Sequence, residues 1–219
     1  MLNTKDKPRT QPSIAKNIKR VFIRLGVELL PFFPVPKEWY RKILVHDSDR
    51  RYVAGRWAYM NEAAEAHRYS LISGCCEFFT SQDRKVLDIG CGEGILHARI
   101  KYQKYIGVDS NTLAIQLAKG RQDEKTIFIQ CPAEVFQPES TFDVIVFNEY
   151  LSYLKDPSEV VNRYRKYLAP DGILVICMFQ IYLARQICQQ LSKLGLNELT
   201  AVKISNELGF ASVIKAFRN

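Results

Sequence analysis

KVLDIGCGEG, residues 85–94, is the stretch on which both fold and chemistry turn. A short apolar run ends in Asp88, and three alternate glycines follow, Gly90, Gly92 and Gly94. Glycines behind a strand remove the β-carbon and let the backbone touch a ligand. In a doubly wound sheet, that position beyond the carboxyl end of the first strand is where ligands bind. Two nucleotide signatures fail on spacing. A dinucleotide fingerprint, GxGxxG, needs its third glycine at position 95, which is Ile95. A phosphate-cradling loop needs GK followed by Ser or Thr, and the sequence has none.

The pattern around the loop sets the fold class. Short apolar runs, KVLDIG (85–90), YIGVD (105–109), IFIQ (127–130), FDVIVFN (142–148) and ILVICMF (173–179), alternate with helical stretches over 94–101, 111–119, 157–168 and 181–194. Near-continuous apolar strands separated by helices predict a parallel sheet covered on both faces. TAVKIS (200–205) and FASVIKAF (210–217) are joined by a short turn at Glu207-Leu208-Gly209, so they are expected to pair antiparallel. Upstream, Ser13 caps a helix expected over 14–30, where Pro31 ends it, and PFFPVP (31–36) is a stiff connector. A second helix is expected over 61–79, burying Ala66, Tyr69, Ile72, Cys76 and Phe79. This divides the chain into a basic arm with an amphipathic helix (1–36), a lid or acceptor-recognition segment (37–83) and a ligand-binding domain (84–219).

Composition excludes several function classes. The 219 residues are 47% hydrophobic and 25% charged, as in a single globular domain with an appendage. No run of 18 or more uncharged apolar residues occurs, and the first residues lack the apolar core of a signal peptide, so the expected location is the cytoplasm. Six cysteines form no CxxC pair and no metal-ligand spacing with the three histidines, so reduced thiols and no metal are expected. Of the net charge of +8, residues 1–24 carry seven basic side chains against Asp6, a net +6, which leaves +2 for the rest. The body is close to neutral, so an electrostatic partner is addressed by the arm.

Asp88, Gly90, Gly92 and Gly94 fit Asp/Glu-x-Gly-x-Gly-x-Gly, and the stretch resembles motif I of the class I S-adenosylmethionine-dependent methyltransferases. Further features fall where that family has them: YIGVD with Asp109 at the end of the second strand, CPAEVF after the third, FDVIVFN as the fourth, and YLAPDGILVI with its Pro-Asp-Gly turn (170–172) as the fifth. The terminal strand pair matches the family's antiparallel finish. The resemblance covers residues 84–219. It implies a Rossmann-like α/β fold, a doubly wound seven-stranded sheet, mostly parallel with a terminal antiparallel strand, behind an N-terminal helical extension. It implies S-adenosylmethionine as cofactor, held by Asp88, Gly90, Cys91, Gly92, Asp109, Ser110, Ala133, Glu134 and Asn148. Asp109 takes the ribose diol, since a carboxylate accepts two hydrogen bonds at once. Pro132 stands where the family often has an aspartate for the adenine amino group, so the Ala133 amide and Glu134 are the adenine candidates.

Methyl transfer is an in-line displacement, helped mainly by positioning and desolvation, and a base is needed only for a protonated nucleophile. The acceptor side falls on NEYLSYL, residues 148–154. Glu149 is a candidate to orient or deprotonate an amine, Tyr153 a candidate catalytic group, and Tyr150 a pocket wall; packing of one tyrosine on the next helix is the competing reading. His46, in VHDSDRR, is the histidine to test as a base, whereas His67 and His97 read as structural or solvated. Tyr52, Arg56 and Trp57 are candidates for the acceptor, with Arg56 and Arg68 alternatively facing the cofactor carboxylate or solvent. The expected partner is therefore a small-molecule acceptor, methylated on nitrogen or oxygen in small-molecule biosynthesis. A non-catalytic methyltransferase-fold binding protein, or a methyltransferase for lipid or nucleic acid, is the alternative. NEYLSYL lacks the prolines of the NPPY loop, and with the near-neutral body this speaks against nucleic acid. The helix over 14–30 carries an apolar stripe (Ile14, Ile18, Val21, Phe22, Leu25, Leu29) opposite basic residues, and docks on its own domain, on a second subunit of a homodimer, or peripherally on an anionic membrane.

Overall fold

The structure, a computed structural model, describes residues 52–53, 57–61, 63–179, 182–205 and 211–219. The basic arm, the helix expected over 14–30, the connector 31–36 and the turn at 207–209 lie outside the described residues. A 3-10 turn at Ala58–Asn61 leads into helix α1 (Ala63–Phe79). Then come β1 (Lys85–Ile89), β2 (Lys104–Asp109), α2 (Thr112–Lys119), β3 (Thr126–Gln130), β4 (Phe142–Asn148), α3 (Pro157–Tyr164), β5 (Leu168–Phe179), α4 (Tyr182–Leu191), β6 (Asn197–Ser205) and β7 (Ala211–Arg218).

The strands form one seven-stranded sheet in the order β3-β2-β1-β4-β5-β7-β6. β1 to β5 pair in parallel, while β7 runs antiparallel to both β5 and β6. Side chains alternate along each strand and so feed two cores. On one face Leu87, Ile89, Ile145, Phe147, Leu174 and Ile176 meet Val160, Val161 and Tyr164 of α3 and Leu183, Ile187 and Leu191 of α4. On the other, Val86, Val144, Val146 and Val175 meet Tyr69, Ile72 and Cys76 of α1 and Ile115 and Ala118 of α2. The doubly wound, mostly parallel sheet with an antiparallel finish is thus the observed architecture.

Local chemistry fixes the helix starts. Asn111 Oδ1 accepts the Ala114 N–H at 2.8 Å and caps α2; Asp156 Oδ1 accepts the Glu159 N–H at 3.0 Å and caps α3, with Pro157 in the first turn. Three expectations change. The helix expected over 94–101 is only a 3-10 turn, Leu96–Arg99, because Gly94 takes φ +72°, outside helical space, and β2 begins at Lys104. The Pro-Asp-Gly segment lies within β5 as a bulge: Phe142 faces Leu168 but Val144 already faces Ile173. On α1, Tyr69, Ile72 and Cys76 are buried as expected, but Ala66 and Phe79 are half-exposed, and the charged pair Glu65 and Arg68 is buried in their stead.

Another buried cation anchors the strands at their starting edge. Arg84 is fully buried and donates to the carbonyls of Ser81 (2.6 Å), Lys101 (3.2 Å) and Thr80 (3.5 Å), while its own carbonyl accepts the Gln103 N–H at 2.9 Å. Arg84→Met fills similar space but strands those three carbonyls. Urea unfolding is expected to show a loss of about 2–4 kcal/mol, since bonds to a charged group are each worth roughly 1.5–3 kcal/mol and partly re-form with water. Wild-type stability would refute the anchoring role.

Candidate active site

The glycine loop is shaped by the end of β2. The Val108 carbonyl accepts the N–H groups of Gly90 (2.7 Å) and Cys91 (3.1 Å), and Asp109 Oδ2 accepts the Gly92 N–H at 2.9 Å. Following this path forces left-handed backbone at Gly90 (φ 78°), Gly92 (φ 54°) and Gly94 (φ 72°). A side chain there costs roughly 1–2 kcal/mol from the backbone alone, and space forbids it as well. A β-carbon on Gly90 would lie 2.2 Å from the Tyr150 ring, and one on Gly94 2.5 Å from the Phe128 ring. One on Gly92 would come to 3.0 Å from the Tyr52 hydroxyl.

Acidic and amide acceptors gather at the adjoining strand ends. Asp88 is buried, its Oδ2 accepting the Tyr105 hydroxyl at 2.5 Å, while its Oδ1 has no partner among the described residues. Burial pushes the Asp88 carboxyl up to about 7, against the opposing pull of the Tyr105 hydrogen bond and with a further push from Asp109. Asn148 Oδ1, at the end of neighbouring β4, is likewise buried and unpartnered among the described residues. Asp109 is also raised by burial, opposed by the N–H groups of Asn111, Gly92 and Ser110; its Oδ1 accepts from Asn111 at 2.8 Å. Cys91 is buried and burial holds its thiol well above the ordinary range, so it packs as a neutral group. Ser110 and Glu134 are exposed, and Ala133 is buried with its carbonyl taking the Tyr164 hydroxyl at 2.9 Å.

On the β4–β5 side, Glu149 is a non-glycine residue at φ 57°. Its N–H donates to the Cys177 carbonyl (2.8 Å), and its Oε2 accepts the Phe179 N–H (2.9 Å). Its Oε1 lies 3.3 Å from Arg68 Nη1 and accepts the Cys177 thiol at 3.6 Å. Burial raises the Glu149 carboxyl, with Arg68 pulling it back. Arg68 is enclosed between Glu149 and Glu65 (3.4 Å) rather than open to a ligand. Tyr150 and Tyr153 stack at 6.4 Å between ring centroids, and Tyr52 and Trp57 stand 6.0 Å apart. Burial, then Asp109, raises both the Tyr52 and Tyr150 phenols, so both stay protonated. Tyr52 of the segment expected to recognise the acceptor sits beside the glycine loop, at Gly92. His46 and Arg56 lie outside the described residues.

Residues 43–202, well over half of the chain, match the family described as a methyltransferase domain. The chain is a class I S-adenosylmethionine-dependent methyltransferase by family. It is 33% identical over 103 residues to the ubiquinone biosynthesis O-methyltransferase of Histophilus somni, covering 42% of this chain and 43% of that protein. The match thus spans less than half the length of that curated relative. Among solved structures, the N-methyltransferase NodS of Bradyrhizobium japonicum in complex with S-adenosylhomocysteine superposes with a TM-score of 0.66 at 20% identity, covering 74% of this chain and 91% of NodS. The 1,6-didemethyltoxoflavin-N1-methyltransferase of Burkholderia thailandensis gives 0.64 at 20% identity, covering 84% and 91%. These two likenesses concern the fold. The methyltransferase family's cofactor, S-adenosylmethionine, carries an ammonium group and a vicinal diol. The two unpartnered buried acceptors, Asp88 Oδ1 and Asn148 Oδ1, and the Asp109 carboxylate fit that donor set.

Sequence reasoning missed one support of this methyltransferase site, the Tyr105 hydroxyl on Asp88. His97 is structural, as expected: its Nδ1 bonds the Gly94 carbonyl while its ring meets Phe128 edge-on at 5.7 Å. The available signal was a polar-tipped tyrosine on the strand that pairs beside β1 and its acid.

The Asp88 shift makes a pH prediction. Its folded value near 7 lies above the ordinary unfolded value, so between pH 4 and 7 the folded chain holds a proton that the unfolded chain has lost. Its contribution to stability is therefore full below pH 4 and lost as pH rises through 7. Asp88→Asn, always neutral, is expected to remove that slope and gain about 2–4 kcal/mol over wild type at pH 8, with near parity at pH 4. Urea unfolding at both pH values checks it; equal pH slopes would refute it.

Proposed function

We propose that the chain transfers the methyl group of S-adenosylmethionine to a nitrogen or oxygen of a small-molecule acceptor. The observation that carries this is the acceptor array at the strand ends, Asp88, Asp109 and Asn148, wrapped round a left-handed glycine loop. When bound, the cofactor would supply an electrophilic sulfonium methyl carbon to the acceptor nitrogen or oxygen, the bonding pair staying on sulfur. Asp109 would hold the ribose diol through the lone pairs its backbone donors leave free, and Asp88 and Asn148 would face the ammonium group. Tyr52 and Tyr150 cover the loop with apolar rings, which exclude water from the transfer.

No described residue is set as a strong base. The Glu149 carboxylate is engaged by Arg68 and the Phe179 N–H, and the Tyr52 and Tyr150 phenols are held protonated. This supports an acceptor that already bears its lone pair, a neutral amine or an ionised carboxylate, over an alcohol. His46 is the remaining proposed base and Tyr153 a proposed acceptor contact. The O-methyltransferase relative and the N-methyltransferase structures leave nitrogen and oxygen both open.

Calorimetric titration with S-adenosylhomocysteine is expected to show one site, weakened at least about tenfold by Asp109→Ala, equivalent to roughly 1.4 kcal/mol. A radiolabelled methyl donor with pooled amines and carboxylic acids is expected to label a small molecule. Unchanged binding by Asp109→Ala overturns the cofactor geometry, and label appearing only in protein, lipid or RNA overturns the acceptor class.

A further inference from the structure

Glu149 holds a backbone conformation that L side chains rarely adopt, φ 57°, in a chain whose other described left-handed residues are Gly90, Gly92, Gly94 and Gly195. Such a residue persists only where its surroundings over-determine it. Three of its anchors lie at the end of β5. The main chain is tied to Cys177, and the carboxylate folds back over the end of β5 to the Phe179 N–H and the Cys177 thiol. The last anchor comes from elsewhere: the Arg68 guanidinium of α1, 3.3 Å away, itself sandwiched 5.0 Å from the Tyr69 ring centroid and 5.6 Å from that of Phe179.

We propose that the buried Arg68–Glu149 pair is a positioning device that sets the turn after β4 and so aims its two neighbours at the cofactor. Those neighbours are Asn148, with its unpartnered buried Oδ1, and Tyr150, whose ring covers Gly90. The inference rests on the cofactor reading above. It assigns Arg68 and Glu149 as positioning residues, neither of which touches the reacting atoms. The pair suits this role on electrostatic grounds. Arg68 Nε and Nη1 form no hydrogen bond among the described residues, so the buried guanidinium is compensated chiefly by the two carboxylates beside it, Glu149 and Glu65. Burial tends to lower its pKa, but Glu149 above all outweighs that and keeps it charged. Helix α1 is thereby coupled to the loop over a large sequence separation. A shift of α1 moves Arg68, and with it the Glu149 turn.

The test separates aim from packing. Arg68→Lys keeps the charge but loses the planar fork that meets Glu65 and Glu149 together. Arg68→Met/Glu149→Gln removes both charges and leaves no lone buried ion. Affinity for S-adenosylhomocysteine by calorimetry is read beside the melting temperature for wild type and both variants. The expected result is a three- to tenfold loss for Arg68→Lys and more than tenfold for the double variant, each at a melting temperature close to wild type. A variant that melts like wild type and binds within twofold of it overturns the positioning role and leaves the pair as packing. Failure of the wild type itself to bind S-adenosylhomocysteine removes the cofactor reading and this inference with it. Normal wild-type binding with unaffected variants removes this inference alone.

Discussion

The hydrogen bonds between the end of β2 and the glycine loop fix everything above the sheet. Val108 offers one carbonyl to two consecutive N–H groups, and Asp109, the next residue, takes a third from Gly92. Satisfying all three bends the chain into left-handed space, where only glycine is at ease. That bend brings the loop backbone against Tyr150 and Phe128 closer than any β-carbon would allow, and close to the Tyr52 hydroxyl. It also leaves both Asp109 oxygens tied to backbone donors, Oδ2 to Gly92 and Oδ1 to Asn111, with lone pairs to spare on the carboxylate. The same carboxylate therefore shapes the loop and still presents two acceptors side by side, the arrangement a vicinal diol requires.

Charge at the strand ends is one-sided. Asp88, Asp109 and Glu149 are gathered at the carboxyl ends of β1, β2 and β4, and Arg68 is the cation that meets them among the described residues, through Glu149. Burial makes both Asp88 and Asp109 harder to ionise, and the Asp109 charge adds to this at Asp88. An ammonium group placed beside Asp88 relieves that penalty. Positive ligand charge is thus favoured near β1 and β2. Near β4 and β5, where Arg68 offsets Glu149, the site is closer to neutral.

What the sequence made legible follows from how locally each feature is determined. The sheet was readable because five near-continuous apolar runs could only be strands buried on both faces. The glycine loop and Asp109 were readable because a fixed spacing encodes a backbone path. The false helix over 94–101 arose because apolar spacing was weighed without the left-handed Gly94 inside it. The Pro-Asp-Gly segment looked like a turn because nothing local reports that Leu168, before it, already pairs with Phe142 of β4. Arg68 and Glu149 were each singled out, but not as partners. Their meeting depends on how α1 lies across the end of the sheet, which no short-range pattern encodes.

That partnership explains an otherwise awkward helix. α1 buries Glu65 and Arg68 on the same face as Tyr69 and Ile72. By stability alone this is a poor choice, since apolar residues of similar volume commonly do as well or better than a buried ion pair. An apolar contact, however, is nearly indifferent to small sliding. A guanidinium held between two carboxylates and two aromatic rings is not, because every displacement strands a buried charge. The loop after β4 needs that intolerance: Glu149 must stay at φ 57° for Asn148 and Tyr150 to keep their places over the strand ends. A charged clasp from a neighbouring helix is a physically reasonable way to hold a strained turn, where packing would hold only a fold.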